Sequence, residues 1–404
     1  MFADLIYHLK RPYHLVKTGL LEGVPAEVHY RFPQKHLKII AITGTDGKTT
    51  SSTLLYHVLK TAGKKVGLIS TVAAYLGDEE LDTGFHVTAP RPAEMFKVMR
   101  RMVDEGYEYL ILETTSHGIY QFRTWDIHPL IVGLTNITNE HLDYHVSYDN
   151  YLAVKAGWLR QAQWAVINAD DGSYHKVKKA LKGARTQVKE YSLSETLSPK
   201  LQKAVTQRFP EVFNQSNARL VITIAQMLQI DEVTMTDAIH SFAGIKGRMQ
   251  EVPNDRQVKV IVDFAHTPQA LEVALTTLRK QQRKKTSKLI AVFGCAGLRD
   301  HTKRSVMTTT AVELADWVVL TAEDPRTEDV WSIIREMKET LTTGHNKIFS
   351  IVDRQAAIDF ALNQLANQED TVGIFGKGHE QSMCYGKTEY PWNDVTAVQK
   401  ALAH

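Results

Sequence analysis

A short run of β-branched residues leads into a glycine-rich turn and then an amphipathic helix in residues 39–63, which read IIAITGTDGKTTSSTLLYHVLKTAG. This order brings backbone N–H groups and a helix N-terminus together, and both favour an anion. Gly44 and Gly47 would let the backbone close around phosphate oxygens. Lys48 is then placed to reach the outer phosphates, and the Thr49 hydroxyl to ligate Mg²⁺. The pattern predicts a phosphate-binding loop rather than an ordinary strand-to-helix turn.

Short apolar strands alternate with helical stretches along the chain, which favours a parallel sheet covered by helices on both faces. In the first half, the predicted strands are 38–43, 66–71, 109–113, 130–135 and 165–168, and the predicted helices include 49–61 and 148–161. The second half repeats the pattern in VKVIVDFAH, KLIAVFGCAG, DWVVLTAED, KIFSIVD and DTVGIFGKG.

This alternation predicts an α/β protein with two successive domains. We place a short N-terminal extension at 1–36, a central nucleotide-binding domain with a P-loop-type parallel sheet at 37–243, and a Rossmann-like C-terminal domain at 244–404. The seam between the domains is predicted in SFAGIKGRMQEV, where two glycines loosen the chain.

Composition is that of an ordinary globular protein, with 43% hydrophobic residues, 23% charged residues and a net charge of +3. This balance does not support nucleic-acid binding, which needs a clustered basic face. Cys295 and Cys384 are the only cysteines of the sequence and lie far apart, so we expect no disulfide framework and a cytoplasmic location. No segment reads as a membrane span or a signal peptide, so stable membrane insertion is not expected.

The N-terminal segment MFADLIYHLKRPYHLVKTGL is mildly basic and amphipathic. A segment of this kind can lie on a membrane surface, or it can pack as a helix on the first domain. We favour packing on the domain, because Pro12 is expected to break the helical pattern early.

The loop TGTDGKTT resembles the nucleotide loop of the Mur ligases, the ATP-dependent amide-forming enzymes of peptidoglycan precursor synthesis. A standard P-loop would have a further glycine at the Ile42 position, and the same variant loop occurs in folylpolyglutamate synthetase. The family usually has asparagine where this chain has Asp46, whose charge is unfavourable beside a triphosphate unless it faces metal or solvent. The resemblance implies that ATP is held by Gly44, Thr45, Gly47, Lys48, Thr49 and Thr50.

Forming an amide from a carboxylate and an amine requires an activated carboxylate. ATP can provide one as an acyl phosphate, while metal ions screen the negative charge. Ligands for such ions belong at the carboxyl ends of parallel strands. The segments LILETTSHGIYQFR and LTNITNEHLDYH supply Glu113, Asn136, Glu140, His141, Asp143 and His145. The two histidines alone would also suit zinc, but the His-Glu start of a zincin motif is absent.

The segment EHLDYH, followed by YDNYLAVKAGWL, resembles the tripeptide-forming branch of the Mur ligases. In that branch the lysine at the position of Lys155 is carbamylated, which turns an ammonium into an anionic oxygen ligand. The resemblance implies two Mg²⁺ ions. One would be coordinated by Thr49 and Glu113, and the other by His141 and carbamylated Lys155.

Further segments match the family in order along the chain. FNQSN supplies Asn214 and Asn217 on the adenine side of the nucleotide, while GRMQEV and VDFAHTP supply Arg248, Asp263 and His266 near its ribose and phosphates. Arg248 also suits a charge clamp on a phosphoryl group in transfer. The resemblance implies a catalytic set of Lys48, Glu113, His141, Lys155 and Arg248.

Two further groups of residues are implied for the substrates. The acyl acceptor, a muramoyl-dipeptide type of carboxylate, would contact Thr88, Thr115, Gln121 and Arg123, and the guanidinium of Arg123 suits a carboxylate. GCAGLRDHTKR, AEDPRTED and FGKGHE resemble segments that recognise meso-diaminopimelate. By this resemblance, the incoming amino acid would be contacted by Arg299, Asp324, Arg326, Gly376 and Glu380.

The identity of the amino acid depends on one departure from the family signature. The family reads Asp-Asn-Pro-Arg, whereas this chain reads Glu-Asp-Pro-Arg at 323–326. The retained Arg326 favours a side-chain carboxylate, and the added charge of Asp324 favours an ammonium. Diaminopimelate carries both groups and lysine only the second, so meso-diaminopimelate or a similar diamino acid is predicted.

The resemblance extends from about Leu37 to the C-terminus. The tripeptide-forming ligases carry an N-terminal domain that grips UDP, and residues 1–36 are too few for one. The acceptor stays open between a nucleotide-linked muramoyl dipeptide, a lipid-linked peptide and a non-nucleotide peptide. Two other functions also stay open: a ligase that adds glutamate to a folate-like or polymeric acceptor, and a nucleotide-binding subunit without catalysis. Retention of the catalytic set favours a ligase; protein partners and oligomeric state are not predicted.

Overall fold

The structure, a computed structural model, describes residues 2–70, 74–81, 90–138, 140–282, 284 and 286–403. Thr88, a predicted acceptor residue, and the side chain of Asp143 lie outside this part of the chain. The chain divides into two compact units, Met1–Ala243 and Gly244–His404. Each unit has its own sheet and its own hydrophobic core.

The first unit is built on an eight-stranded sheet in the order β4-β3-β2-β5-β1-β6-β7-β8. Its strands are β1 (Lys38–Thr43), β2 (Val66–Ile69), β3 (Ala74–Leu76), β4 (Glu79–Leu81), β5 (Tyr109–Glu113), β6 (Ile131–Leu134), β7 (Trp164–Asn168) and β8 (Gln187–Tyr191). Strand β1 pairs in parallel with both β5 and β6, so the carboxyl ends of these three strands meet at one edge of the sheet. Strands β3 and β4 form an antiparallel edge.

Helices cover the sheet of the first unit, and every residue of β5 is buried, as expected for a central parallel strand. The helices are α1 (Phe2–His14), α2 (Val24–His29), α3 (Lys48–Thr61), α4 (Pro92–Asp104), α5 (Ser116–Tyr120), α6 (Leu142–His145), α7 (Tyr148–Leu159), α8 (Tyr174–Leu181), α9 (Pro199–Arg208), α10 (Val212–Met227) and α11 (Glu232–Ser241). Helix α3 begins directly after Gly47 and is followed by Gly63, and both glycines have left-handed backbone angles.

The N-terminal segment packs on the first unit, as the sequence predicted. The Tyr7 ring stacks on the Tyr120 ring with their centroids 4.6 Å apart. Farther along, Gly19 and Gly23 lie against Trp125 so closely that a Cβ on either would come within 2.6 Å of the indole. Pro12 does not end α1, which continues to His14 and passes into a π-helical stretch, Leu15–Gly23.

The second unit contains a six-stranded sheet in the order β13-β12-β11-β14-β10-β9 and a separate β15–β16 hairpin. Its strands are β9 (Gln250–Glu251), β10 (Lys259–Asp263), β11 (Leu289–Phe293), β12 (Trp317–Leu320), β13 (Ile348–Ser350), β14 (Thr371–Phe375), β15 (Ser382–Tyr385) and β16 (Thr388–Pro391). Its helices are α12 (Pro268–Gln281), α13 (Thr302–Leu314), α14 (Val330–Lys338), α15 (Arg354–Phe360) and α16 (Asp394–Leu402).

The predicted α/β fold class is confirmed, and the structure adds antiparallel pairings that the sequence pattern did not indicate. The two-residue strand β9 pairs antiparallel with β10 at the edge of the second sheet, and two longer antiparallel features are also present. These are the β3–β4 edge of the first sheet and the β15–β16 hairpin of the second unit. Both strand pairs are short and partly polar, so they lack the continuous apolar run by which the parallel strands were recognised. Among the described residues, no helix combines the length and the apolar character needed to cross a membrane.

Candidate active site

The glycine-rich turn lies at the carboxyl end of the central strand β1 and leads directly into α3. A Cβ on Gly44 would lie 1.7 Å from the Thr135 hydroxyl, and one on Gly47 would lie 2.2 Å from Oδ1 of Asn217. The backbone therefore passes these two side chains at distances that only glycine permits. The Nζ atom of Lys48 donates to the Thr45 carbonyl oxygen at 2.6 Å, which folds the lysine over the turn.

The turn is fixed to the neighbouring strand end by residues that follow β6. Asn136 accepts a hydrogen bond from the Asp46 backbone N–H at 2.9 Å, and the Thr135 hydroxyl donates to the Asp46 carbonyl oxygen at 2.6 Å. The Asp46 residue itself is exposed. Its extra charge thus faces solvent, which is one of the arrangements in which an acidic residue can be accommodated in this loop.

The first predicted pair of magnesium ligands is brought together. The Thr49 hydroxyl donates to Oε1 of Glu113 at 3.0 Å, and both residues are buried. Parallel pairing of β1 with β5 places Ile42 beside Glu113, so the carboxylate reaches the start of α3. A hydroxyl and one carboxylate beside a phosphate loop form a donor set that suits Mg²⁺, which takes few protein ligands and completes its shell with phosphate oxygens and water.

Lys155 lies fully buried on α7, and its Nζ atom donates to the carbonyl oxygen of Gly44 at 2.7 Å. The same atom is 3.5 Å from the Thr43 hydroxyl and 4.8 Å from the centre of the Tyr151 ring. Burial lowers the pKa of Lys155 well below its ordinary value, and the positive charge of Lys48 lowers it further. Burial therefore favours the neutral form of this amine, which lies against the phosphate loop.

His141 begins the short helix α6, and its ring lies near two aromatic side chains. The His117 ring centroid is 4.7 Å from that of His141, and the Tyr151 ring centroid is 6.3 Å away. Tyr151 in turn has its hydroxyl 3.0 Å from the Thr45 hydroxyl in the phosphate loop. His141 and Lys155 therefore both lie near the ring of Tyr151, on the same side of the phosphate loop.

His145, the second histidine of EHLDYH, is held inside the first unit by two neighbouring hydroxyls. His145 is completely buried, with the Tyr7 hydroxyl 2.9 Å from Nδ1 and the Ser116 hydroxyl 3.0 Å from Nε2. Burial lowers its pKa to about 3, and the neighbouring His117 and His141 act in the same direction. The ring is neutral at physiological pH, and both of its nitrogens are engaged by hydroxyls.

No three His, Cys, Asp or Glu side chains in the described ranges lie close enough to form a metal centre by themselves. The Thr49–Glu113 pair includes only one such residue, and the site predicted around His141 includes a lysine.

On the predicted acceptor side, Thr115 and Gln121 flank the two ends of α5, and Arg123 contacts Gln121. The Thr115 hydroxyl accepts a hydrogen bond from the Gly118 N–H and caps α5. Arg123 donates through Nε to the Gln121 side-chain oxygen at 3.0 Å, and Gln121 donates to the Tyr144 hydroxyl at 2.8 Å. Burial lowers the pKa of Arg123, and the nearby Arg91 contributes to the lowering. A desolvated guanidinium held in this way favours an anionic partner.

The predicted adenine-side residues lie on α10. Asn217 donates to the Asn214 side-chain oxygen at 3.3 Å, and its own amide lies over Gly47. The asparagine pair therefore borders the phosphate loop within the first unit.

In the second unit, Arg248 and His266 lie against the ring of Phe264, and Asp263 directly precedes Phe264 in the chain. The Arg248 guanidinium carbon lies 4.7 Å from the Phe264 ring centre, and the His266 ring lies 4.5 Å from it. Asp263 accepts backbone hydrogen bonds from Met249 at 2.6 Å and Ala265 at 2.8 Å. Burial raises the pKa of Asp263, while the Arg248 charge opposes the increase.

Two of the predicted amino-acid residues, Asp324 and Glu380, form ion pairs with Lys377. Lys377 donates to Asp324 at 2.9 Å and also pairs with Glu380, and Asp324 accepts a second hydrogen bond from the Cys384 N–H. Asp324 is thus already neutralised by a lysine, which the sequence-based argument for an ammonium-selective Asp324 did not foresee. The Arg326 guanidinium donates to the Gly297 carbonyl oxygen at 2.7 Å.

Gly376 lies against Glu323, and a Cβ at that position would come within 2.0 Å of Oε2. This oxygen is buried and has no hydrogen-bond partner among the described residues. Burial raises the pKa of Glu323 to about 7. Arg299, the remaining predicted residue, is exposed.

Sequence reasoning did not single out His117 or Tyr151 as site residues. Tyr151 and Lys155 are four residues apart on α7 and therefore lie on the same side of the helix, which is a signal that could have found the tyrosine. His117 follows the strand that ends at Glu113 and carries no comparable pattern.

A glycine turn between a central parallel strand and a helix, with a buried hydroxyl–carboxylate pair beside it, defines a phosphate-binding α/β protein of the P-loop type. Residues 42–230 match the Mur ligase middle domain, and residues 247–378 match the domain described as "Mur ligase, glutamate ligase domain". The chain belongs to the Mur ligase family.

Two relatives illustrate the similarity. The UDP-N-acetylmuramoyl-L-alanyl-D-glutamate--2,6-diaminopimelate ligase of Clostridium botulinum is 34% identical over 87% of this chain and 75% of that protein. The UDP-N-acetylmuramyl-tripeptide synthetase of Deinococcus radiodurans is 34% identical over 92% of this chain and 79% of its own length.

Solved structures show the same fold. A UDP-N-acetylmuramoyl-L-alanyl-D-glutamate--2,6-diaminopimelate ligase superposes with a TM-score of 0.62 at 29% identity, over 94% of this chain and 82% of the other. The Mycobacterium tuberculosis folylpolyglutamate synthase complexed with ADP and AMPPCP gives a TM-score of 0.69 at 16% identity, over 92% and 96% of the two chains. At that identity the second likeness concerns the fold alone.

Proposed function

We propose that this protein is an ATP-dependent ligase that joins meso-diaminopimelate, or a similar diamino acid, to the carboxylate of a muramoyl-dipeptide type of acceptor. The observation that carries the proposal is the buried Lys155 amine against Gly44, beside the Thr49–Glu113 pair. A protein that only bound nucleotide would gain nothing from a buried lysine without a carboxylate partner at this position, since a buried amine is costly to maintain.

In the proposed reaction, the γ-phosphoryl group passes to the acceptor carboxylate and gives an acyl phosphate and ADP. The amine of the incoming amino acid then attacks the acyl carbon, forms the C–N bond, loses a proton and releases phosphate. The turn between Gly44 and Gly47 binds the nucleotide phosphates, and Lys48 stabilises the outer ones. Arg123 orients the acceptor carboxylate, and Arg248 is proposed to stabilise the transferred charge.

The low pKa of Lys155 supports its carbamylation. Only the neutral amine is nucleophilic, and it can add to CO₂ with formation of an N–C bond and loss of one proton. The anionic carbamate and His141 are proposed to hold one Mg²⁺ ion, and Thr49 with Glu113 a second. These ions would screen the charge between ATP and the acceptor carboxylate.

The choice of amino acid rests on the relatives named for 2,6-diaminopimelate and on Arg326. Asp324 does not contribute to it as a free charge, because Lys377 already neutralises it. Consumption of ATP and two cysteines that form no disulfide fit a reaction in the cytoplasm.

The test is ADP release with every pairing of three acceptors and three amino acids. The acceptors are a UDP-linked muramoyl dipeptide, the same peptide without nucleotide, and a folate. The amino acids are meso-diaminopimelate, lysine and glutamate. ADP release only with diaminopimelate and a muramoyl acceptor is expected. Release with glutamate and folate would replace the proposal by a folylpolyglutamate-type activity, and tight ATP binding without release in any pairing would contradict a ligase.

A further inference from the structure

The first helix presents an apolar face that the fold leaves uncovered. Residues at alternating spacings of three and four along α1 and the following π-helical stretch are all exposed, from 36% to 65% of their surface. These residues, here called the outer face, are Ile6, Leu9, Tyr13, Val16 and Leu20. The adjoining Leu21 is 69% exposed. So many large apolar side chains on one short segment mark an interaction surface.

The opposite side of the segment is fixed to the first unit, which determines the orientation of the outer face. Tyr7 is buried and accepts a hydrogen bond on its carbonyl oxygen from the Tyr120 hydroxyl. Gly19 and Gly23 lie directly against Trp125. The segment therefore cannot rotate to bury the outer face without giving up these contacts.

Basic side chains lie beside the outer face, and the acidic side chains of the segment are engaged elsewhere. Lys10 and Lys17 are exposed, whereas the Arg11 guanidinium carbon lies 5.7 Å from the centre of the Phe122 ring, on the side of α1 that is fixed to the first unit. Asp4 accepts a hydrogen bond from Asn150 at 2.8 Å, and Glu22 lies 3.8 Å from Arg91. The electrostatic character beside the apolar residues is consequently positive.

We propose that the outer face docks the protein on an anionic lipid bilayer. The aliphatic side chains of the outer face would enter the boundary between headgroups and acyl chains, and Lys10 and Lys17 would contact lipid phosphates. Tyr13, with an apolar ring and a polar hydroxyl, suits the headgroup level. This docking is peripheral, and it does not depend on the proposed ligase reaction.

A second copy of the chain fits the outer face less well. Packing of two helices as a coiled coil requires a regular α-helical register over several heptads. Pro12 and the π-helical stretch Leu15–Gly23 interrupt that register. Two copies would also bring their basic side chains together. Binding to a bilayer requires no helical register and no second helix of complementary charge.

The experiment is co-sedimentation of the full chain with vesicles of phosphatidylcholine alone and of phosphatidylcholine with phosphatidylglycerol. We expect binding only to the anionic vesicles, weakened by high salt. The double variant Leu9→Gln/Leu20→Gln should lower the binding constant at least about tenfold, because two apolar side chains lose their burial. The double variant Lys10→Gln/Lys17→Gln should lower it by a similar factor, since each cation contributes about fivefold.

Matched controls exclude a general effect of surface apolarity or charge. Val273→Gln/Val306→Gln removes two exposed valines of the second unit, and Lys97→Gln removes an exposed lysine of α4. Both controls should bind the anionic vesicles like the unaltered protein. The thermal unfolding midpoint of every variant verifies that it remains folded.

Three outcomes would overturn the proposal. The first is an absence of binding to anionic vesicles, and the second is equal binding to neutral vesicles. The third is a concentration-dependent dimer, detected by light scattering, that the Leu9/Leu20 variant dissociates. That result would assign the outer face to a second copy.

Discussion

The Nζ atom of Lys155 donates a hydrogen bond to the carbonyl oxygen of Gly44 across 2.7 Å, so a buried amine contacts the backbone of the phosphate loop directly. The two residues are 111 positions apart in the sequence and meet because α7 packs beside the end of β1. This contact links the nucleotide-binding loop to the residue proposed to complete the metal site.

Replacement of Lys155 by alanine is expected to lower ligase turnover about 100-fold or more, because the proposed anionic ligand is lost from a charge-stabilising site. Turnover is measured as ADP release with the productive substrate pair. Because burial lowers the pKa of Lys155 and so favours the neutral, nucleophilic amine, ¹³C-labelled bicarbonate should give a carbamate NMR signal in the unaltered protein.

Lys97→Ala, on an exposed surface of α4, is the control for Lys155→Ala and should retain both turnover and the carbamate signal. Partial recovery of Lys155→Ala by added acetate would support the role of the anion. Full turnover of Lys155→Ala would refute the proposed carbamate ligand.

Gly47→Ala is expected to weaken ATP binding by about tenfold or more. The new Cβ would lie 2.2 Å from Oδ1 of Asn217, and the left-handed backbone at Gly47, with φ of 77°, adds about 1 kcal/mol of strain. Equilibrium binding of a fluorescent ATP analogue measures the effect.

Gly63→Ala is the matched control for Gly47→Ala. Gly63 has a similar φ of 71°, but a Cβ there would meet nothing within 4 Å. This variant carries the backbone strain without the overlap and should bind ATP normally. Equal loss of affinity in the two variants would mean that the close approach to Asn217 is unimportant.

His145 is expected to make the protein less stable in acid. Its pKa is lowered to about 3 in the folded protein, whereas an unfolded histidine has a pKa near 6.5, so the unfolded state binds more protons between these values. The contribution of His145 to stability is therefore present above about pH 6.5 and is lost as the pH falls toward 3. Between pH 7 and pH 5 the loss amounts to at most about 2 kcal/mol.

Urea unfolding at pH 7 and pH 5 measures this effect of His145. The free energy of unfolding should fall less between the two pH values in His145→Gln than in the unaltered protein. His175→Gln, at an exposed position, should behave like the unaltered protein. An identical fall in all three proteins would show that His145 does not carry the acid sensitivity.

Asp324→Asn is expected to destabilise the protein by about 1–3 kcal/mol, because it leaves the buried Lys377 ammonium without one of its two carboxylate partners. The free energy of unfolding at pH 7 measures the cost. Glu369→Gln breaks the exposed ion pair with Lys284 and should cost less than about 1 kcal/mol. An unchanged stability in Asp324→Asn would mean that Glu380 alone compensates Lys377.

The sequence was most informative where structure depends on neighbours along the chain. The phosphate loop and the placement of Lys48 and Thr49 follow from one continuous segment, and the apolar strand β5 leads directly to Glu113. The partner of Asp324 could not be found in this way, because Lys377 lies 53 residues later and reaches it only through the sheet of the second unit. The β3–β4 edge escaped prediction because it has too few buried residues to impose a pattern.

The two hydroxyls that contact His145 belong to helices far apart in the sequence, Tyr7 in α1 and Ser116 in α5. Deleting α1 would leave Nδ1 of the buried His145 without its partner, while Nε2 of the same ring is held by Ser116, the residue that follows Thr115 on the predicted acceptor side. Truncation of α1 is therefore expected to disturb the surroundings of His145 and the predicted acceptor side, about a hundred positions later in the sequence. A fusion or tag that displaces α1 should have the same effect.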